Sequence, residues 1–335
     1  MSEQILQDRI GEYLISRVNN YLFDELSPAY LEKAGVADIL TGVPVPVKTT
    51  ELTGLTNLKI AENMAVIIGC DINFKYRENY IEYIVRTFTK DFVKPLINEG
   101  IDAAAKEDYN YACVCFRAAL LIDPESVDAL YCYGRACKDS YEHGEDEEYI
   151  GRYKAESLEA FEKLTIKKPD FDMGFYFLGY GYLNLGLYIK AKLTWEEFLK
   201  LSSNAELIED VNQWLRKLEE PVKIEQGYNA ILSSRFDEGI AILENYRDDD
   251  RFNTWWPLWY YLGVAYKNMG ELDKAQEALL KTLQLSPSNT DAMEELVEIY
   301  SANNDVEKAK KYSEKIELIE RSNQQIRNEM GNLLS

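Results

Sequence analysis

Residues able to do chemistry are plentiful in this chain but are not arranged for catalysis. The single histidine, His143, sits in an acidic stretch, and no GxGxxG, P-loop, HExxH or GxSxG string is present to cradle phosphate, bind zinc or raise a nucleophile. Nothing supplies a general base with an orienting partner. Cys70, Cys113, Cys115, Cys132 and Cys137 contain no CxxC pair, so they lack zinc-ligand spacing and read as buried free thiols. Paired carboxylates such as Glu196 with Glu197 have no distinctive surroundings in a chain of 58 acids. No catalytic residue, cofactor or metal ligand is assigned, and the chain reads as a non-enzyme.

Charge says more. Against those 58 acids stand 37 lysines and arginines, a formal net charge of −21, which opposes non-specific binding to nucleic acid or to anionic lipid. The expected partner is a protein or peptide that is neutral or basic. Residues 1–20 show no apolar core behind a basic start, and no stretch reaches the roughly 20 apolar residues of a membrane span. The expected location is the cytoplasm.

The elements that would position a binding surface are legible as a repeat. Gly100, Gly134, Gly179, Gly227 and Gly263 recur at spacings of 34, 45, 48 and 36, and Val297 follows 34 later, each within a matching apolar frame. A period near 34 is that of stacked helical hairpins. The frame is clearest in Trp259, Leu262, Gly263, Tyr266, Ala275, Leu279 and Pro287. With those offsets the chain resembles the tetratricopeptide-repeat family over about residues 93–323. The resemblance implies an all-α fold, a right-handed α-solenoid of helical hairpins that offers a groove to another protein.

Units are expected near 93–126, 127–171, 172–205, 220–253, 256–289 and 290–323, with an extra helix at 206–219 and a capping extension at 324–335. The second unit closes 11 residues late, which places an insertion around Tyr141 to Arg152. Its Glu142, Glu145, Asp146, Glu147 and Glu148 repel one another and favour an exposed turn or extended helix ends, read as a solvated segment dispensable for folding and not as a docking site. Residues 1–92 lie outside the repeat and read as a small helical cap domain. Leu6, Ile10, Tyr13, Leu14, Val18, Tyr21 and Leu22 fall at helical spacing, Ser27 and Pro28 open a second helix that Gly35 stops, and 42–56 forms an extended connector or edge strand.

The family resemblance also places the groove. It implies a stripe along the first helix of each hairpin, with Tyr131, Arg135 and Lys138 in the second unit, Tyr176, Tyr180 and Asn184 in the third, Tyr228 in the fourth, and Tyr260, Lys267 and Asn268 in the fifth. Tyrosines give contact area with few rotors, and amides can bond a peptide backbone. The bland alternative is that these tyrosines pack on the neighbouring hairpin. The Lys/Asn/Arg clamp by which some relatives hold a C-terminal carboxylate is not complete here.

Trp255 and Trp256 fall outside the frame and read either as a wedge between hairpins or as a contact patch. Tyr312, Ile316, Ile319, Asn323, Ile326, Met330 and Leu333 step by four and three, a heptad seam. It either caps the last hairpin within a monomer or joins two chains as a homodimer. Alternatives to a scaffold are a peptide-responsive regulator signalling through residues 1–92, and an enzyme whose catalytic N-terminal domain is served by substrate-recruiting repeats.

Overall fold

The computed structural model describes residues 6–50 and 55–333, with the side chains of 323 and 326–333 outside that description. Among the described residues there are 17 α-helices and a two-stranded antiparallel ribbon. Contacts divide the chain into two compact units, 1–186 with 193–211, and 187–192 with 212–335.

In the first unit α1 (Gly11–Leu14) runs into a 3-10 turn and then strand β1 (Tyr21–Glu25). This differs from the expected single helix through Leu22. Strand β2 (Pro44–Lys48) pairs with β1 in the register Tyr21↔Lys48 to Glu25↔Pro44 and turns Val45 and Val47 into the core. Two prolines are tolerated there because their polar edge faces away from β1, the Pro44 and Pro46 carbonyls accepting from Tyr80 at 2.6 Å and Asn63 at 3.1 Å, so the N–H that proline lacks costs no ladder bond. The helical cap is therefore a mixed one, and residues 51–54 of the connector lie outside the description. Helix α2 (Pro28–Ala34) starts as expected, with Ser27 Oγ accepting from Tyr30 N–H, and ends at Gly35 with φ +67°. Helices α3 (Ala37–Leu40), α4 (Asn57–Cys70) and α5 (Arg77–Phe88) complete this part. Its core is continuous with that of the first hairpins, from Ile10 to Leu178.

Three hairpins begin in this unit: α6 (Val93–Ala104) with α7 (Tyr109–Ile122), α8 (Val127–Glu142) with α9 (Glu147–Lys167), and α10 (Asp172–Asn184) with α11 (Tyr188–Leu201). The hairpin closes tightest at the glycine of the frame. A Cβ on Gly179 would collide with the Trp195 ring, and one on Gly263 would lie 2.6 Å from Leu279 Cγ, so neither position has room for a side chain.

The acidic insertion is solvated as expected, Glu142, Glu145, Asp146, Glu147 and Glu148 all being exposed, but most of it is helix and not loop. Only 143–146 is non-helical, and the rest lengthens α9 to 21 residues. Asp146 caps the helix at Tyr149 N–H, while Glu147 and Glu148 occupy the first turn, where the helix dipole favours acids. Tyr149 and Tyr153 then pack against each other at 4.4 Å with their planes tilted by 35°, and Tyr149 lies edge-on to Tyr13 at 4.9 Å. Both hydroxyls donate to Asn110 Oδ1.

Helix α12 (Ala205–Leu232) is also a correction, because the extra helix expected at 206–219 and the first helix of the fourth unit are one helix with Pro221 inside. Proline removes one backbone hydrogen bond there, but the apolar stripe continues through buried Val211, Leu218, Val222 and Ile224.

The second unit continues with α13 (Phe236–Leu243), then α14 (Trp256–Asn268) paired with α15 (Leu272–Leu285), and α16 (Thr290–Ala302) paired with α17 (Val306–Leu333). The heptad seam begins in cis: Tyr312 stacks on Tyr300 at 6.0 Å, and Ile316 and Ile319 pack on the same core. The side chains of Asn323, Ile326, Met330 and Leu333 lie outside the described residues. Among the described residues no helix is long and apolar enough to cross a membrane.

Candidate functional site

In the first unit the stripe residues of α8 and α10 form a relay of rings. Tyr131 meets Phe177 at 6.1 Å, Phe177 meets Tyr176 at 5.2 Å, Tyr176 meets Tyr180 at 5.2 Å, and Tyr180 meets Trp195 at 5.0 Å. Edge-to-face contacts of this kind hold each ring in one orientation. All but the buried Trp195 are half-buried, so the rings are neither core nor free surface. Exposed Arg135 lies over Phe177 at 5.3 Å and over Tyr131 at 6.0 Å, presenting its guanidinium edge to solvent.

The hydroxyls of this relay are already engaged. Tyr176 donates to Asp210 Oδ2 at 3.0 Å, and Tyr180 donates to the same oxygen. Burial, then the hydrogen bond to Asp210, pushes the Tyr180 phenol well above its ordinary range, so it stays a neutral donor. Asp210 is the residue the sequence did not single out here. A carboxylate on the next helix has no periodic signature, and only its contact with two phenols reveals it.

The other two members differ. Lys138 pairs with Glu142 at 2.5 Å, and Asn184 donates to the Tyr141 hydroxyl at 3.4 Å. Together they stand at the mouth of a 210 Å³ cavity between α8, α9 and α10.

The second unit repeats the ring motif with different polar chemistry. Tyr228 stacks on Tyr261 at 4.6 Å, Tyr261 meets Tyr260 at 5.3 Å, and Tyr260 meets Trp256 at 6.4 Å. The Tyr228 hydroxyl is buried and makes no hydrogen bond among the described residues, and burial raises its phenol above the usual range. Lys267 is not free: burial lowers its pKa, but hydrogen bonds to Glu295 and Glu298 outweigh that and hold it charged. Asn268 donates back to Val264 C=O at 2.8 Å, within its own helix. The two tryptophans divide, since Trp255 packs between Tyr188 and Phe252 while Trp256 remains 39% exposed.

The cysteines take the places of small apolar residues. Cys113 and Cys137 lie 3.8 Å apart as free thiols, and burial pushes the Cys70 thiol up to about 12. A buried ion pair that the sequence did not show lies beside the second hairpin. Arg117, 5% exposed, donates to Asp8 at 2.6 Å, and Arg9 donates to Glu156 at 3.0 Å and Glu159 at 2.5 Å.

Successive helical hairpins closed by a glycine against the second helix, with a ring-lined first helix, define a helical-repeat protein. Residues 256–289 match the tetratricopeptide repeat, the family whose pattern the apolar frame resembles. No curated protein matches it in sequence. Solved structures similar to it include MamA, at 19% identity over 68% of this chain and 96% of that one, with a TM-score of 0.24. YrrB, a TPR protein with an unusual peptide-binding site, is 18% identical over 64% of this chain and 96% of its own, with a TM-score of 0.31. The TPR domain of P58(IPK) is 14% identical over 89% and 85%, with a TM-score of 0.46.

Proposed function

We propose that this chain is a non-catalytic scaffold that holds a protein or peptide against the first-helix faces of its hairpins, with residues 1–92 as a cap, 93–323 as the repeat array and 324–335 extending the last helix. The observation that carries this reading is the ring relay from Tyr131 to Tyr180 with exposed Arg135 on top. Half-buried, pre-oriented rings offer contact area at little entropic cost, and an arginine stacked on them is held ready for a carbonyl or carboxylate. The net charge of −21 favours a partner that is neutral or basic overall. The protein acts as a cytoplasmic monomer, α17 covering the last hairpin, with a homodimer through that helix as the alternative.

A second reading has one observation in its favour. The Asp8 and Arg9 ion pairs tie the N-terminal segment to α7 and α9, so a partner that shifts those helices would be felt by residues 1–92, as a peptide-responsive regulator requires.

The test is selection of a random peptide library on the full chain, followed by titration of the winning peptide against Arg135→Ala and against Tyr176→Ala with Tyr180→Ala. Loss of a hot-spot aromatic pair should weaken binding by roughly tenfold or more, with helical content unchanged. A peptide that binds both variants as tightly as the parent removes the groove.

A further inference from the structure

The 210 Å³ cavity between α8, α9 and α10 is built by two glycines and closed by rings. Phe161 and Phe177 stack at 5.3 Å with planes 17° apart and form one flat wall, and Leu158 forms another. A space of this size is enough for a single aromatic or leucine side chain, since a cavity of about 150 Å³ already holds benzene. Gly181 lines the cavity where a Cβ would press on Leu158 at 2.9 Å. Gly151 is different. It stands in the fifth position of α9, and a Cβ there would meet nothing within 4 Å. Glycine inside a helix costs roughly 0.5–1 kcal/mol relative to alanine, and no neighbour requires it. It lines the cavity and is exposed, so a long side chain there has room to reach into it.

The mouth is polar on one side. Lys154 lies over the Tyr141 ring at 5.7 Å and, among the described residues, has no carboxylate partner, whereas Lys138 beside it is paired with Glu142. Lys154 lines the cavity itself, so its charge faces whatever enters. The Asn184 amide and the Tyr141 hydroxyl complete the rim.

We propose that this cavity is a specificity pocket that takes one aromatic or leucine side chain of a bound peptide, with a carboxylate next to that anchor paired to Lys154. The charge at the mouth chooses the occupant, because an apolar anchor flanked by a cation would leave Lys154 facing a like charge while burying its walls. This rests on the peptide-binding reading and sharpens it, Lys138 and Asn184 of the groove stripe being the link between the two. A single carboxylate is compatible with a partner that is neutral or basic overall.

The test uses small probes on the full chain. 3-Phenylpropionate supplies ring and carboxylate, and 3-phenylpropanol supplies the ring alone, each titrated by calorimetry or by NMR line shape. The acid should bind saturably, and Gly151→Leu or Ala155→Leu, which fill the cavity, should weaken it by roughly tenfold or more. Unchanged helical content and a melting temperature no lower than the parent's, in both filled variants, are the folding control. Lys154→Gln should cost the acid roughly threefold and the alcohol nothing, as expected for a rim charge. Absence of saturable binding, or equal binding to both filled variants, overturns the pocket. Insensitivity of the acid to Lys154→Gln overturns the carboxylate. Tyr180→Ala, whose ring touches Tyr176 and Trp195 and not the Phe177 wall, should leave both probes unaffected, so a groove that fails with selected peptides while the probes still bind is told apart from a pocket that fails.

Discussion

The hairpins α8/α9 and α14/α15 are built on one frame and do different work. In each, a glycine of the first helix lies under a side chain of the second, Gly134 under Phe161 and Gly263 under Leu279. In α14/α15 the helices stop after 13 and 14 residues, with Gly270 at φ +80° turning the chain. In α8/α9 they run to 16 and 21 residues. The surplus holds what the regular repeat lacks: Tyr149, Arg152 and Tyr153 against the N-terminal segment, and Gly151 and Lys154 at the cavity. The frame makes the fold, and the departure from the frame makes the particular surface.

Three outcomes would break or sharpen this contrast. The largest is expected at Asp8. Asp8→Ala leaves Arg117 as a buried unpaired charge, which should cost about 3–5 kcal/mol in urea unfolding of the first unit, and Arg117→Met in the same chain should restore most of it. A loss below about 1 kcal/mol, no more than an exposed pair is worth, would mean that the N-terminal segment is not fastened to the long hairpin.

Next in size is the shared frame. Gly263→Leu should destabilise by about 1–3 kcal/mol through overpacking against Leu279, and Gly134→Leu by a similar amount against Phe161. Thermal melts unchanged in either variant would show that the two hairpins do not close alike.

The smallest effect is alkaline. Burial, first among the causes, raises the phenols of Tyr13 and Tyr141 beside the long hairpin and of Tyr260 in the regular one to about 12, from an ordinary value of 10. Below pH 10 these groups are protonated in both states and their contribution is intact. Between about 10 and 12 the unfolded chain releases the proton more readily, so stability falls as pH rises. The unfolding midpoint should be level up to about pH 10 and decline above it, and less steeply in Tyr13→Phe with Tyr141→Phe than in Tyr260→Phe. An unchanged decline in the double variant would leave the long hairpin no more phenol-dependent than the regular one.

Much of this was legible before any coordinates. The glycine spacing and apolar frame mark the hairpins because 3.6-residue periodicity and a close helix contact are local facts that each repeat must state again. Ser27, Pro28 and Gly35 delimit α2 for the same reason, their cap chemistry being written within a few residues. Other readings failed where local rules compete. Tyr21 and Leu22 fit a helical stripe, but β1 forms because β2 offers it hydrogen bonds from more than twenty residues away. The acids after Tyr141 are exposed, as their repulsion suggests, but a cap at Asp146 and docked rings at Tyr149 and Tyr153 make them a helix start and not a loop.

By itself, then, the order of residues determined the hairpin register, the tight glycine contacts and the net charge, since these follow from spacing and composition alone. Only the tertiary structure decided which polar partner each side chain found: Asp210 under Tyr176 and Tyr180, Glu295 and Glu298 on Lys267, Asp8 on Arg117, and the Tyr141 ring under Lys154. Such pairings join residues far apart in the chain, and a hydrogen bond depends on a separation of about 3 Å that no periodic pattern encodes.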